Sequence, residues 1–134
     1  MQRLLQIAAV LLPMLLCGRL SAHPAGYDVF IPISKYMAQG NADNLAAWFD
    51  DNLDIAVISQ GSSASKAQAK QIVKTFFETY TPRSFDISHT AGRDNMKYAL
   101  GTLKAGGENF SVTIFVSSKG QTSYKIQQLK IERL

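Results

Sequence analysis

His89 follows Phe85 and Ile87 at every second position of an alternating run, Phe85-Asp86-Ile87-Ser88-His89-Thr90. An imidazole on the apolar side of a strand can act as a general base inside a closed site, provided another group orients it. Asp86 is three residues away and faces the other side of a strand, which makes it a poor partner. The spacing favours the plainer reading, a partly exposed strand-end histidine beside the turn at Gly92. Asp50, Asp51 and Asp54 offer oxygen ligands for a hard divalent cation, but such ions need several at fixed geometry. These acids follow a helix and carry no glycine-bearing calcium-loop pattern, so they read as a solvated connection and no metal site is expected. Trp48, Phe49, Tyr98 and Phe115 can line a pocket for an apolar ligand, or simply fill a core, and Tyr36 adds a hydroxyl. No nucleophile-elbow pattern surrounds any serine, and the one cysteine, Cys17, lies near the start of the chain. No catalytic residue and no cofactor is assigned.

These groups must be held by elements that the hydrophobic pattern specifies. Phe30, Ile33 and Met37 recur at helical spacing over 28–39, with Pro32 in the first turn and Gly40 as a stop. Asn41 or Asp43 then caps a second helix reaching about Asp50. Residues 53–58, Leu-Asp-Ile-Ala-Val-Ile, have the β-branched content of a strand, and Gln60-Gly61-Ser62-Ser63 is a turn or a weak second strand. Ser65-Lys66-Ala67-Gln68 is a capping box for a third helix, whose apolar stripe runs Ala69, Ile72, Val73, Phe76, Phe77, Tyr80. Thr81-Pro82 ends it.

Beyond Pro82 the period falls from 3.6 to 2. Phe85, Ile87 and His89 form one apolar set, Met96, Tyr98 and Leu100 a second, and Phe110, Val112, Ile114 and Val116 a third. Turns at residues 91–94, 105–107 and Lys119-Gly120 separate them. The last strand starts in the phase of Tyr124 and Ile126 but continues in that of Leu129 and Ile131, which calls for a bulge near Gln127-Gln128. The expected fold is α+β: a twisted antiparallel sheet packed on one face by helices, with three helices in the first half and a four-strand meander after them.

The whole chain has 134 residues and a net charge of +4, enough for one domain and too globular in composition for disorder. Residues 1–22 have a basic start, an apolar run from Leu4 to Cys17 and a small-residue exit, the grammar of a secretory signal. That run is too short to cross a bilayer comfortably. Cleavage after Ala22 is expected, leaving a domain over 23–134 with net charge +2, no cysteine and no stable membrane span. Lipidation at Cys17 is the alternative, although Leu16 is bulky for the preceding position. The basic residues form no run and no interleaving with aromatics, so nucleic acid is not expected as a partner.

Four segments carry a resemblance. They are Ala42-Asp43-Asn44-Leu45-Ala46-Ala47-Trp48-Phe49, the helix after Ser65, Lys97-Tyr98-Ala99-Leu100-Gly101-Thr102-Leu103, and Tyr124-Lys125-Ile126-Gln127-Gln128-Leu129. Over about 27–133 the chain resembles the nuclear-transport-factor-2-like superfamily, and within it a family of short exported bacterial proteins without assigned function. The resemblance implies a cone in which a strongly curved sheet wraps a long helix. It implies no chemistry, because the superfamily holds isomerases, dehydratases and hydrolases beside many binding modules. The isomerase-like members need a general-base carboxylate and oxyanion donors converging in an apolar cone, and no carboxylate stands in the apolar phase of a late strand here. The expected function is a non-catalytic exported domain that binds a small apolar ligand or a protein through its concave face or sheet surface, and forms a homodimer through the sheet. The other reading is a small acid–base enzyme using His89, with Tyr98 or Tyr36 as hydrogen-bond donor.

Overall fold

A computed structural model describes residues 27–118 and 123–134. The leader with Cys17, the cleavage before His23 and the Lys119-Gly120 turn lie outside the described residues. Helix α1 (Phe30–Gln39) buries Phe30, Ile33 and Met37, and Gly40 closes it in the left-handed conformation at φ 66°. Asn41 caps α2 (Ala42–Ala46), its side-chain oxygen accepting the Asn44 N–H at 3.1 Å. α2 is shorter than the sequence suggests. The Trp48 carbonyl accepts the Ile126 N–H at 2.7 Å, which draws the chain onto the sheet, and Phe49 already opens β1 (Phe49–Val57). Asp50 and Asp51 therefore belong to the same strand as Asp54 rather than to a helix end.

The weak segment at 60–63 is a full strand, β2 (Gln60–Ser65), paired antiparallel with β1 without a break in register. Helix α3 (Lys66–Thr79) begins with both halves of the capping box, Ser65 Oγ accepting from Gln68 N–H at 3.2 Å and Gln68 Oε1 from Ser65 N–H at 3.0 Å. The meander follows: β3 (Pro82–Arg93), β4 (Met96–Ala105), β5 (Glu108–Ser118) and β6 (Tyr124–Arg133). Since β6 returns to lie parallel with β1, the curved, unclosed sheet runs β2-β1-β6-β5-β4-β3.

One sheet face is covered by the helices and holds the core, to which β5 gives Phe110, Val112, Ile114 and Val116 and β6 gives Ile126, Leu129 and Ile131. Gln127 is the extra residue of the β6 bulge, where the register against β5 passes from Phe115–Gln128 to Val116–Ile126. β4 inverts the expected phase. Lys97, Ala99, Gly101, Leu103 and Ala105 face the helices, while Met96, Tyr98 and Leu100 face away. The buried set is the smaller one because the space is taken: a Cβ on Gly101 would stand 2.7 Å from the Phe85 ring and from the Asp86 carbonyl oxygen. β3 slips register between Ile87 and His89, so Ile87 lies opposite Gly101 but His89 opposite Leu100, on the open face.

Candidate ligand groove

α3 carries a stripe wider than the core can cover. Ala69, Val73, Phe76 and Phe77 are buried, while Ile72 and Tyr80 at its margin are half-buried. β1 and β2 extend past this margin as a hairpin, and a groove of about 530 Å³ opens between them. Ile55, Val57 and Ile58 wall one side, Ile72, Phe76 and Tyr80 the other. Gln60, Gln71, Thr75 and Thr79 add uncharged polar groups.

Two features fix the ends of the groove. At one, Tyr80 packs edge-on against Phe110 with ring centres 5.1 Å apart, and Phe76 meets both rings at 5.1 and 5.3 Å. The Tyr80 hydroxyl accepts from Arg133 Nη2 at 2.7 Å, and Arg133 Nε donates to Glu108 Oε1 at 2.9 Å. The Glu108 hydrogen bond is the chief cause that holds the Arg133 guanidinium above its ordinary value. The phenolic proton remains free to donate. At the other end, the hairpin turns through Ile58 and Ser59 with φ of 49° and 69°. Left-handed geometry is ordinary for glycine and an outlier for a β-branched residue.

The sequence-derived site residues lie elsewhere. Phe49 is core, Trp48 is half-buried at the α2–β1 junction, and Tyr36 is half-buried on α1 under the Lys35 ammonium. None of Tyr36, Trp48, Phe49, His89, Tyr98 and Phe115 lines the groove. The structure does bring three together: on the open sheet face the His89 and Tyr98 rings lie 5.9 Å apart, and Tyr98 stands opposite Phe115. The acids separate, Asp50 accepting from Gln127 Nε2 and Asp54 from Ser63 Oγ at 3.0 Å. Among the described residues, no three of His, Cys, Asp and Glu gather as metal ligands. Sequence reasoning missed the groove, though the stripe width of α3 signals it: six apolar positions exceed what one helix face buries.

A long helix packed on an open curved sheet of this topology is the fold of nuclear-transport-factor-2-like proteins. The chain belongs to the domain of unknown function DUF4783, whose pattern matches residues 30–132. It is similar to a DUF4783 protein from Bacteroides uniformis at 24% identity, over 77% of this chain and 94% of that one, with a TM-score of 0.73. A DUF4783 protein from Bacteroides ovatus gives 21% identity, 78% and 94% coverage and a TM-score of 0.74. A nuclear-transport-factor-2-like protein of unknown function from Cytophaga hutchinsonii, only 6% identical, still gives a TM-score of 0.59 over 85% of this chain and 94% of that one. No curated protein matches the chain.

Proposed function

We propose that this is an exported, non-catalytic binding domain whose groove between α3 and the β1–β2 hairpin holds an apolar ligand. The observation that carries this reading is the chemistry of the lining: aliphatic and aromatic walls, amide and hydroxyl rims, and no ionisable side chain among the described lining residues except Tyr80. Proton-transfer catalysis needs a positioned acid or base in reach of the substrate. His89, the residue on which an acid–base enzyme would depend, stands on the opposite sheet face. The volume falls in the range of small-molecule sites. Export through residues 1–22 belongs to the same proposal, with a lipid on Cys17 as the other outcome, and the mass of the protein from its native cell distinguishes them.

Titration with the apolar dye N-phenyl-1-naphthylamine tests the groove. A saturable rise in emission is expected, and Ile72→Lys, which places a charge on the wall, should weaken it about tenfold. Emission that does not saturate, or that is indifferent to Ile72→Lys, overturns the reading. A second reading rests on Tyr98, Leu100 and Phe115, half-buried together on the open face of β4 and β5. It takes this face as the surface through which two copies pair.

A further inference from the structure

The two edges of the sheet, β3 and β2, are finished differently. β3 opens with Pro82-Arg83, carries Asp86 and Arg93, and breaks register against β4 at two places. Proline, charge and bulges are the devices that stop a sheet edge from pairing with foreign strands. β2 reads Gln60-Gly61-Ser62-Ser63-Ala64-Ser65, with no charge, no proline and no bulge.

The backbone of β2 also has hydrogen bonds to give. Because the hairpin loop has two residues, the flanking pair Val57–Gln60 exchanges both of its bonds, and bonded pairs then alternate at Ile55–Ser62 and Leu53–Ala64. Gly61, Ser63 and Ser65 consequently turn their N–H and C=O outward. Gln68 takes the Ser65 N–H. Among the described residues no strand lies beyond β2, and nothing takes the outward groups of Gly61 and Ser63. Hollows flank this edge on both faces. On the helix side, about 410 Å³ opens beside Ser62, Ala64, Gln68, Gln71 and Ile72, next to the apolar groove. On the open side, about 330 Å³ lies beside Gly61, Ser63, Asp54 and Gln128.

We infer that β2 receives an extended polypeptide segment, which adds to the sheet as a further strand. Its backbone pairs with Gly61 and Ser63. Its alternate side chains enter the hollow under α3 beside Ala64 and Ile72 and are uncharged, since no charged side chain lines that hollow. The intervening ones lie over Gly61 and Ser63 beside Asp54 and Gln128 and are polar. Strand addition of this kind draws affinity from main-chain bonds and selectivity from alternate side-chain pockets. The inference rests on the groove reading and names its occupant.

The probe is acetyl-Thr-Val-Thr-Val-Thr-Val-amide, with two N-methylated versions, one methylated on the Thr amides and one on the Val amides. Only one of these sets of amides can face β2, so one version should lose binding while the other keeps it. Saturable shifts are expected in the Gly61 and Ser63 amide resonances of the full protein. Ser63→Pro, which removes one outward N–H and the side-chain bond to Asp54 but no backbone bond to β1, should weaken the peptide about tenfold and leave N-phenyl-1-naphthylamine binding unchanged. Should Ser63→Pro not fold, the methylated peptides decide on the native chain alone. Equal binding of both methylated versions overturns strand addition. Dye binding without peptide binding does so too, and leaves the groove to a non-peptide ligand. Loss of both overturns the groove reading with it. A protein that is dimeric by sedimentation and becomes monomeric with Ser63→Pro assigns the edge to a second copy and overturns a foreign segment.

Discussion

Ile58 and Ser59 form a two-residue hairpin turn in left-handed geometry, the same conformation that Gly106 and Gly107 supply between β4 and β5, at φ of 57° and 78°. Glycine adopts it freely, whereas a β-branched side chain stores strain of about 1–3 kcal/mol. In return Ile58 sets its side chain in the wall of the groove. Replacing the pair with Ile58→Asn and Ser59→Gly should raise stability by about 1 kcal/mol, read by chemical denaturation, while weakening dye binding. A variant no more stable than the parent would show that the surrounding contacts already offset the strain. Gly101 carries the opposite prediction: with the Phe85 ring and a backbone oxygen 2.7 Å from its Cβ position, Gly101→Ala should cost about 1–3 kcal/mol by the same measurement. These residues also mark where the sequence misleads. Alternation assigns Met96, Tyr98 and Leu100 to the core because they are larger, but the helix side of β4 has room only for the smaller set and for the stem of Lys97. That lysine is buried beneath Tyr27 and Tyr124, its ammonium 5.0 and 5.8 Å from the ring centres and donating to the Arg93 carbonyl at 2.8 Å. A register slip in β3 likewise moves His89 to the other face, and nothing in the types of Ile87, Ser88 and His89 announces it.

At the scale of elements, legibility follows how locally each one is determined. α3 is written in four residues of capping box and one stripe, so its start falls where the sequence puts it. Ser65→Ala removes the side chain that accepts the Gln68 N–H and should cost about 1 kcal/mol, seen as a fall of about 4 °C in Tm. An unchanged Tm would mean that the β2–α3 junction is fixed by packing alone. The bulge in β6 is legible for a similar reason, since a phase change inside one strand leaves few other solutions. α2 and β1 are different. Their boundary is set by the bond from Ile126 to the Trp48 carbonyl, a contact between residues far apart in sequence that no local pattern carries. β2 is weak by propensity and exists because β1 lies beside it, which also explains why an edge so poor in side-chain identity can remain open to a partner strand.

For the whole molecule the two faces of the sheet pose different problems. The helices seal one, while the other presents Tyr98, Leu100 and Phe115 amid Ser111, Thr113 and Ser117, a half-buried apolar patch in a polar field. An apolar patch rimmed by polar groups is the pattern of a protein contact surface. A two-fold pairing would bring each patch onto its own copy, with Thr113 between Leu100 on β4 and Lys130 on β6. Thr113→Lys would then place a cation beside Lys130 in both copies, and like charges across a close interface cost several kcal/mol. The expected result is a dimer for the protein and a monomer for Thr113→Lys by sedimentation, with the thermal transition of the variant changed by only a few degrees. A parent that sediments as a monomer, or a variant that stays dimeric, removes the open face as the pairing surface. Because β2 lies at the sheet edge and Thr113 on a strand three places inward, Ser63→Pro and Thr113→Lys act on separate surfaces, and their effects on ligand binding and on association should be independent.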